Sequence, residues 1–157
     1  MDDVIDLDPW HRMVRPPNTR WVPWLLRRVK KNQGFILVAE VNETTAGVVI
    51  AWTIRYTGLD RTLELPTKIG YLCAFSVRPP WRSKGIGTRL LRECERRFQA
   101  SGCDQLRLST FAHNRKALHF YAREGFEVRY VVLGKQQGPP KHKWPAGRGR
   151  SRRARLR

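Results

Sequence analysis

The chain has 157 residues, 41% of them hydrophobic and 28% charged, with a formal net charge of +18. That length suits one domain with a single core. No apolar run approaches the roughly 20 residues of a membrane span, the acidic start Met1-Asp2-Asp3-Val4-Ile5-Asp6 is unlike a secretory signal, and Cys73, Cys94 and Cys103 lack metal-ligand spacing.

In chain order, residues 4–7 can form a short strand before the break at Pro16-Pro17. Asn18 or Thr19 is placed to cap a helix through Pro23, Trp24, Leu25, Leu26 and Val29 that ends near Asn32-Gln33-Gly34. Residues 35–41 are apolar and β-rich. Residues 47–56 alternate, with Val48, Ile50, Trp52, Ile54 and Tyr56 on one side and Val49, Ala51, Thr53 and Arg55 on the other. The two read as an antiparallel hairpin.

Residues 57–66 read as a loop and 68–77 as another strand. Residues 85–100 form an amphipathic helix with Ile86, Leu90, Leu91, Cys94 and Phe98 on one face, closed by Ser101-Gly102. A strand over 104–110 follows, then a short helix capped by Asn114 and stopped at Gly125, then a last strand over 126–133. Antiparallel runs mixed with two β-to-α steps predict a layered α/β sheet with helices on both faces.

The segment Val77-Arg78-Pro79-Pro80-Trp81-Arg82-Ser83-Lys84-Gly85-Ile86-Gly87-Thr88 joins a strand to a helix through a basic, glycine-containing loop. The free N–H groups of the first helical turn, the helix dipole, and Arg82 and Lys84 beside them make an anion site suited to a phosphate or pyrophosphate. Lys84 precedes Gly85, which does not fit a Walker loop. Leu90 stands where a dinucleotide fingerprint has its third glycine.

Arg82-x-x-Gly85-x-Gly87 after a strand ending Val-x-Pro resembles the acetyl-CoA pyrophosphate loop of the GNAT superfamily of N-acetyltransferases. Asn114-x-x-Ala117-x-x-Phe120-Tyr121-x-x-x-Gly125-Phe126 is similar to that family's second signature, the helix beside the pantetheine arm. The resemblance is tight over 70–126 and absent in the tail. It implies a mixed, largely antiparallel central sheet of six or seven strands flanked by about four helices, over residues 1–134.

It also implies acetyl transfer from acetyl-CoA, as co-substrate, to a primary amine of a small molecule or a protein, by direct attack in a ternary complex. By resemblance, backbone groups of Phe75, Ser76 and Val77 hold the pantetheine amides as an added strand would. Arg82, Ser83, Lys84, Gly85, Ile86, Gly87 and Thr88 cradle the pyrophosphate, and Asn114, Ala117, Phe120 and Tyr121 line the arm. Arg78, Arg89, Lys116 and Arg123 either touch the adenosine 3′-phosphate or are solvated.

Tyr121 takes the position of the general acid: a phenol near pKa 10 can protonate a thiolate near 8.5. Many relatives carry a glutamate base on the strand before the loop, and Cys73 stands there instead. The base is then Glu40, read as lying on the neighbouring strand, or His113, His119 or bulk water. No metal is implied. Relatives are often dimers, and residues 126–133 offer a strand for a homodimer.

The resemblance implies that residues 12–34 and 57–66 build the acceptor cleft, with Trp10, Trp21 and Trp24 in the first and near it. Polycationic acceptors would need a carboxylate cluster, which only Asp2, Asp3, Asp6 and Asp8, or Asp60 with Glu64, can supply. From Lys135 to Arg157 there are nine Lys or Arg residues and no Asp or Glu. This Gly/Pro/Arg-rich tail is expected to be disordered, with non-specific contact to nucleic acid. Scattered cysteines and the absence of a signal point to the cytoplasm, with no membrane partner. The competing reading is a nucleic-acid- or ribosome-associated binding protein built on a catalytically weak scaffold of the same fold.

Overall fold

The computed structural model describes residues 21–55 and 68–135, and the chain divides into two units, residues 1–126 and 127–157. In the first unit, helix α1 (Trp21–Lys31) is followed by strands β1 (Phe35–Val41), β2 (Thr44–Arg55) and β3 (Lys68–Val77). A single 3-10 turn (Pro79–Trp81) leads to α2 (Ile86–Ala100), then β4 (Gln105–Leu108) and α3 (Arg115–Arg123). The sheet order is β1-β2-β3-β4, antiparallel except for the parallel β3–β4 pair.

The β1–β2 hairpin closes through Asn42 and Glu43, both at positive φ (47° and 60°). Two left-handed central residues match the right-handed twist of the flanking strands. Alternation along β2 then sorts side chains between two layers. Val49 and Ala51 join Leu37, Leu72, Leu90, Leu91, Cys94 and Phe98 under α2, whereas Ile50 and Trp52 join Leu25 under α1. Helices therefore cover both faces, as the mix of antiparallel runs and β-to-α steps predicts. Gly70 makes the α2 layer close-fitting, since a Cβ there would stand 2.5–2.7 Å from the Phe98 ring.

A bulge in β3 controls the region around the site. Ile50 pairs with Ala74 and Ala51 with Leu72, so Cys73 has no partner across the ladder. The extra residue turns both Cys73 and Ala74 toward α1, while Leu72 and Phe75 face α2. Past the bulge β3 also loses its other neighbour: β4 pairs only with residues 69–72, and 73–77 keep β2 alone among the described residues.

The described sheet has four strands and three α-helices, fewer than the six or seven strands and about four helices expected. The strand expected at residues 4–7, the caps Asn18 and Thr19 and the loop at 57–66 lie outside the described residues. Residues 126–133 are not a strand. In the second unit, 127–135 take no regular structure, and Val128, Tyr130, Val131, Val132 and Leu133 are exposed. A strand exists through its ladder, and among the described residues this segment has none. Phe126, at the end of the first unit, packs on the core.

Candidate functional site

The loop from β3 to α2 is built by two left-handed residues, Ser83 at φ 59° and Gly85 at φ 76°. Left-handed residues interleaved with ordinary ones turn successive N–H groups inward, the geometry of an anion-binding nest. Gly85 has open space where a Cβ would stand, so backbone conformation alone demands glycine there. At Gly87 the reason is different: a Cβ would lie 3.3 Å from the Phe120 ring and 3.8 Å from Phe75. This glycine lets α2 approach the aromatic groups of α3 and β3.

The loop's cations have structural duties as well. Arg82 donates from Nε to the Val77 carbonyl at 2.9 Å, tying the loop to the end of β3. Lys84 Nζ lies 5.1 Å from the centre of the Trp81 ring, within cation–π range. Arg78 donates to the Thr45 carbonyl at 3.2 Å and so braces the hairpin, while Arg89, Lys116 and Arg123 are exposed on their helices.

Helix α3 starts as its sequence requires. The Asn114 side-chain oxygen accepts from the Ala117 N–H at 3.2 Å, and Gly125 at φ 86° ends the helix. Ala117, Phe120, Tyr121 and Glu124 share its inner face by their spacing. Phe75, Phe120 and Tyr121 form one aromatic group, with centroid separations of 5.9 Å (Phe75–Phe120), 6.1 Å (Phe75–Tyr121) and 5.3 Å (Phe120–Tyr121). Phe126 packs against Tyr121 at 5.6 Å.

Burial pushes the Tyr121 phenol up to about 12, because a phenolate here would lose its hydration. The group is therefore a neutral hydrogen-bond donor across the whole physiological range. Burial also raises the Cys73 thiol, against a smaller opposing pull from Arg28. Cys73 thus stays protonated at neutral pH and does not replace a carboxylate base.

Phe75, Gly87, Phe120 and Tyr121 come together; Glu40 does not join them. It is exposed on β1, and β2 lies between β1 and β3. The neighbouring-strand reading of Glu40 is therefore corrected: two strand spacings, roughly 10 Å, separate the two strands. His113 and His119 are exposed.

One contact has no signal in the sequence. Thr88 Oγ1 donates to Glu124 Oε1 at 2.7 Å in a part-buried setting, joining the first turn of α2 to the end of α3. The partners are 36 residues apart and neither has a local motif to announce it. The β3 bulge is equally silent, because Leu72-Cys73-Ala74-Phe75 reads as an ordinary apolar run.

The model of the Acetyltransferase (GNAT) family matches residues 5–126. The chain is 30% identical over 73 residues to the uncharacterized N-acetyltransferase YycN of Bacillus subtilis, an alignment covering 46% of this chain and 47% of that protein. It spans about half the length of the curated relatives it matches. Among solved structures, a variant of the BH1408 protein from Bacillus halodurans superposes with a TM-score of 0.74 at 17% identity, over 87% of this chain and 85% of that one. An aminoglycoside N-acetyltransferase, AAC(6')-Iy in complex with CoA, gives 0.57 at 17% identity over 66% of each chain. At these identities the structural likeness speaks for the fold alone.

Proposed function

Because the chain belongs to the Acetyltransferase (GNAT) family, a family of acyltransferases with acetyl-CoA as co-substrate, we propose that it moves an acetyl group from acetyl-CoA to a primary amine in a ternary complex. The observation that carries this reading is the opening after Leu72. There the β3–β4 ladder ends, the left-handed loop presents its N–H groups at one end, and Tyr121 stands with Phe75 beside the stretch that pairs with β2 alone.

Acetyl-CoA suits that opening on three counts. The loop and the first turn of α2 supply donors for the pyrophosphate. Residues 73–77 have an edge free of β4 for the pantetheine amides, in the manner of strand addition. The aromatic group of Phe75 and Phe120 gives the arm an apolar wall. Ser83, Lys84, Gly85, Ile86 and Gly87 are the residues proposed to hold the phosphates. Arg82 contributes mainly by fixing the loop, and Thr88 by its bond to Glu124.

In the transfer, the neutral amine nitrogen attacks the thioester carbonyl, a C–N bond forms, and the C–S bond breaks. The amine gives up one proton and the departing sulfur takes one. Tyr121 donates its hydrogen bond to that sulfur as charge develops. With its phenol near 12 against roughly 8.5 for a thiol, full proton transfer is uphill. The donor stabilises the leaving group, and the thiolate completes its protonation from water. Glu124, on the same face of α3, has its carboxylate engaged by Thr88, and His113 and His119 are exposed, so water is the proposed acceptor of the amine's proton.

The nucleic-acid reading rests on residues 135–157, of which all but Lys135 lie outside the described residues, and on Cys73 standing where relatives carry a glutamate, which a water acceptor for the amine's proton accommodates. Calorimetric titration of the full chain with acetyl-CoA at moderate salt tests the proposal. One-to-one micromolar binding that persists when salt is raised is the expected result. Binding that vanishes with salt would show charge attraction alone and end the assignment.

A further inference from the structure

A cavity of about 300 Å³ opens on the α1 face, lined among the described residues by Arg28 and Asn32 of α1 and its end, Trp52 and Arg55 of β2, and Tyr71 of β3. It is separate from the phosphate loop and from Tyr121. The described lining includes two guanidinium groups and no carboxylate. Trp52 and Tyr71 form an aromatic wall, with ring centroids 5.9 Å apart. Arg28 lies over Trp24 at 5.3 Å, which holds its stem against the helix.

The cavity wall and the bulge of β3 lie two residues apart on one strand. Tyr71 and Cys73 face the same side of β3, and Cys73 is the bulge residue at which β3 and β4 part. Two residues of strand span roughly 7 Å. The charge of Arg28 reaches that point, since it acts on the Cys73 thiol. A ligand lying along the aromatic wall would thus have one end at two guanidiniums and the other at the mouth of the opening.

Resting on the acetyl-transfer reading, we infer that the acceptor is a small amine that also bears a carboxylate, held in this cavity by Arg28 and Arg55 with its apolar spacer along Trp52 and Tyr71. Planar guanidiniums match a carboxylate in two-point hydrogen bonding. The volume is at the small end of ligand sites, which suits a compact molecule. Like-charge repulsion sets the same two side chains against polycationic amines such as aminoglycosides.

The test compares 6-aminohexanoate with hexylamine as acceptors for the full-length protein. The two share an amine and spacer and differ in the carboxylate. The acid is expected to be preferred in kcat/KM by roughly ten- to a hundredfold, the size of one charge-assisted hydrogen bond. Arg55→Gln and Arg28→Gln should each reduce that preference severalfold and together bring it within about threefold, with acetyl-CoA affinity unchanged. Arg55 lies outside α1, so its variant leaves the Arg28–Trp24 contact intact.

Saturation-transfer NMR with 6-acetamidohexanoate and N-hexylacetamide measures occupancy without any turnover. Arginine-dependent binding of the acid alone, with no amine acetylated, would sustain the cavity and overturn the transfer reading. Equal binding of acid and amide, or a preference that survives both substitutions, would overturn the inference itself.

Discussion

Under α2, eight buried side chains from Leu37 to Phe98 form one continuous cluster, and ten partly buried ones pack around it. Among the described residues the cluster under α1 has three buried members, Leu25, Ile50 and Trp52, and Trp21, Val22, Trp24 and Leu26 of the helix are exposed. The same strand β2 feeds both layers, so the contrast comes from what each helix brings. α2 contributes Leu90, Leu91, Cys94 and Phe98 at helical spacing, whereas α1 contributes Leu25 alone. The dense layer holds the phosphate loop and the aromatic group at fixed separations, where misplacement is most damaging to catalysis. The sparse layer borders the basic cavity, where substitutions leave the packing around the loop and the aromatic group undisturbed.

The largest effect expected from breaking this comparison is at Tyr121, on the dense side. Tyr121→Phe keeps the ring and its packing on Phe75 and Phe126 but deletes the donor. It should lower kcat by roughly 10²–10³, the effect of deleting one donor to developing charge, with acetyl-CoA affinity held, read by steady-state kinetics and calorimetry. A turnover within about twofold of the parent would remove Tyr121 from the reaction. Because burial lifts the phenol to about 12 from an ordinary 10, its ionisation should not reduce kcat below about pH 11. Stability follows the same sign: the contribution of the buried neutral phenol is complete below pH 10 and is lost as pH rises through 10 toward 12.

Next come the two layers themselves. Phe98→Ala removes the largest fully buried side chain among the described residues and the tilted ring contact with Phe35, 5.0 Å away. A loss of about 3–5 kcal/mol is expected from urea unfolding. Leu25→Ala, on the sparse side, should cost about 2 kcal/mol, near the lower limit for such truncations, because α1 has open surface on which to relax. Equal losses would mean that the layers are equally well packed. Thr88→Val follows, with about 1–3 kcal/mol lost along with its bond to a carboxylate. Since that bond ties α3 to α2, kcat should fall more than acetyl-CoA affinity. A purely structural link would lower stability and leave kcat in place.

The dense side was also the legible side. Periodicity gave the inner face of α2, strand β3 to the residue, and the Asn114 cap, because each is written in neighbouring residues. The loop motif located Gly85 and Gly87, yet not their separate reasons: one is a left-handed backbone position, the other a close approach to Phe120. What escaped the reading depends on pairing between distant segments. The Cys73 bulge arises from the register of β3 on β2, Thr88–Glu124 from the docking of two helices, and the Arg28–Arg55 cavity from α1 lying over β2. Residues 126–133 show the converse failure. Their apolar run fits a strand, but a strand also needs a partner, which a sequence pattern cannot supply.

The smallest effect is expected on the outer surface of α2. Glu93 accepts from Arg96 at 2.7 and 2.8 Å and from Arg97 at 2.7 Å, one and the same carboxylate serving the i+3 and i+4 positions. Those hydrogen bonds hold its carboxyl down at about 2 from an ordinary 4.5. A depressed carboxylate contributes stability that is present above pH 4.5 and is lost as pH falls from 4.5 toward 2. The group is exposed to solvent and screened by salt, so its contribution is slight. Glu93→Gln should leave stability at pH 7 nearly unchanged and flatten the acid limb of the unfolding curve in low salt, with the difference fading as salt is added. A variant whose acid limb matched the parent at every salt concentration would show that the pair forms without stabilising the helix, and that the core beneath α2 alone sets the stability of this face.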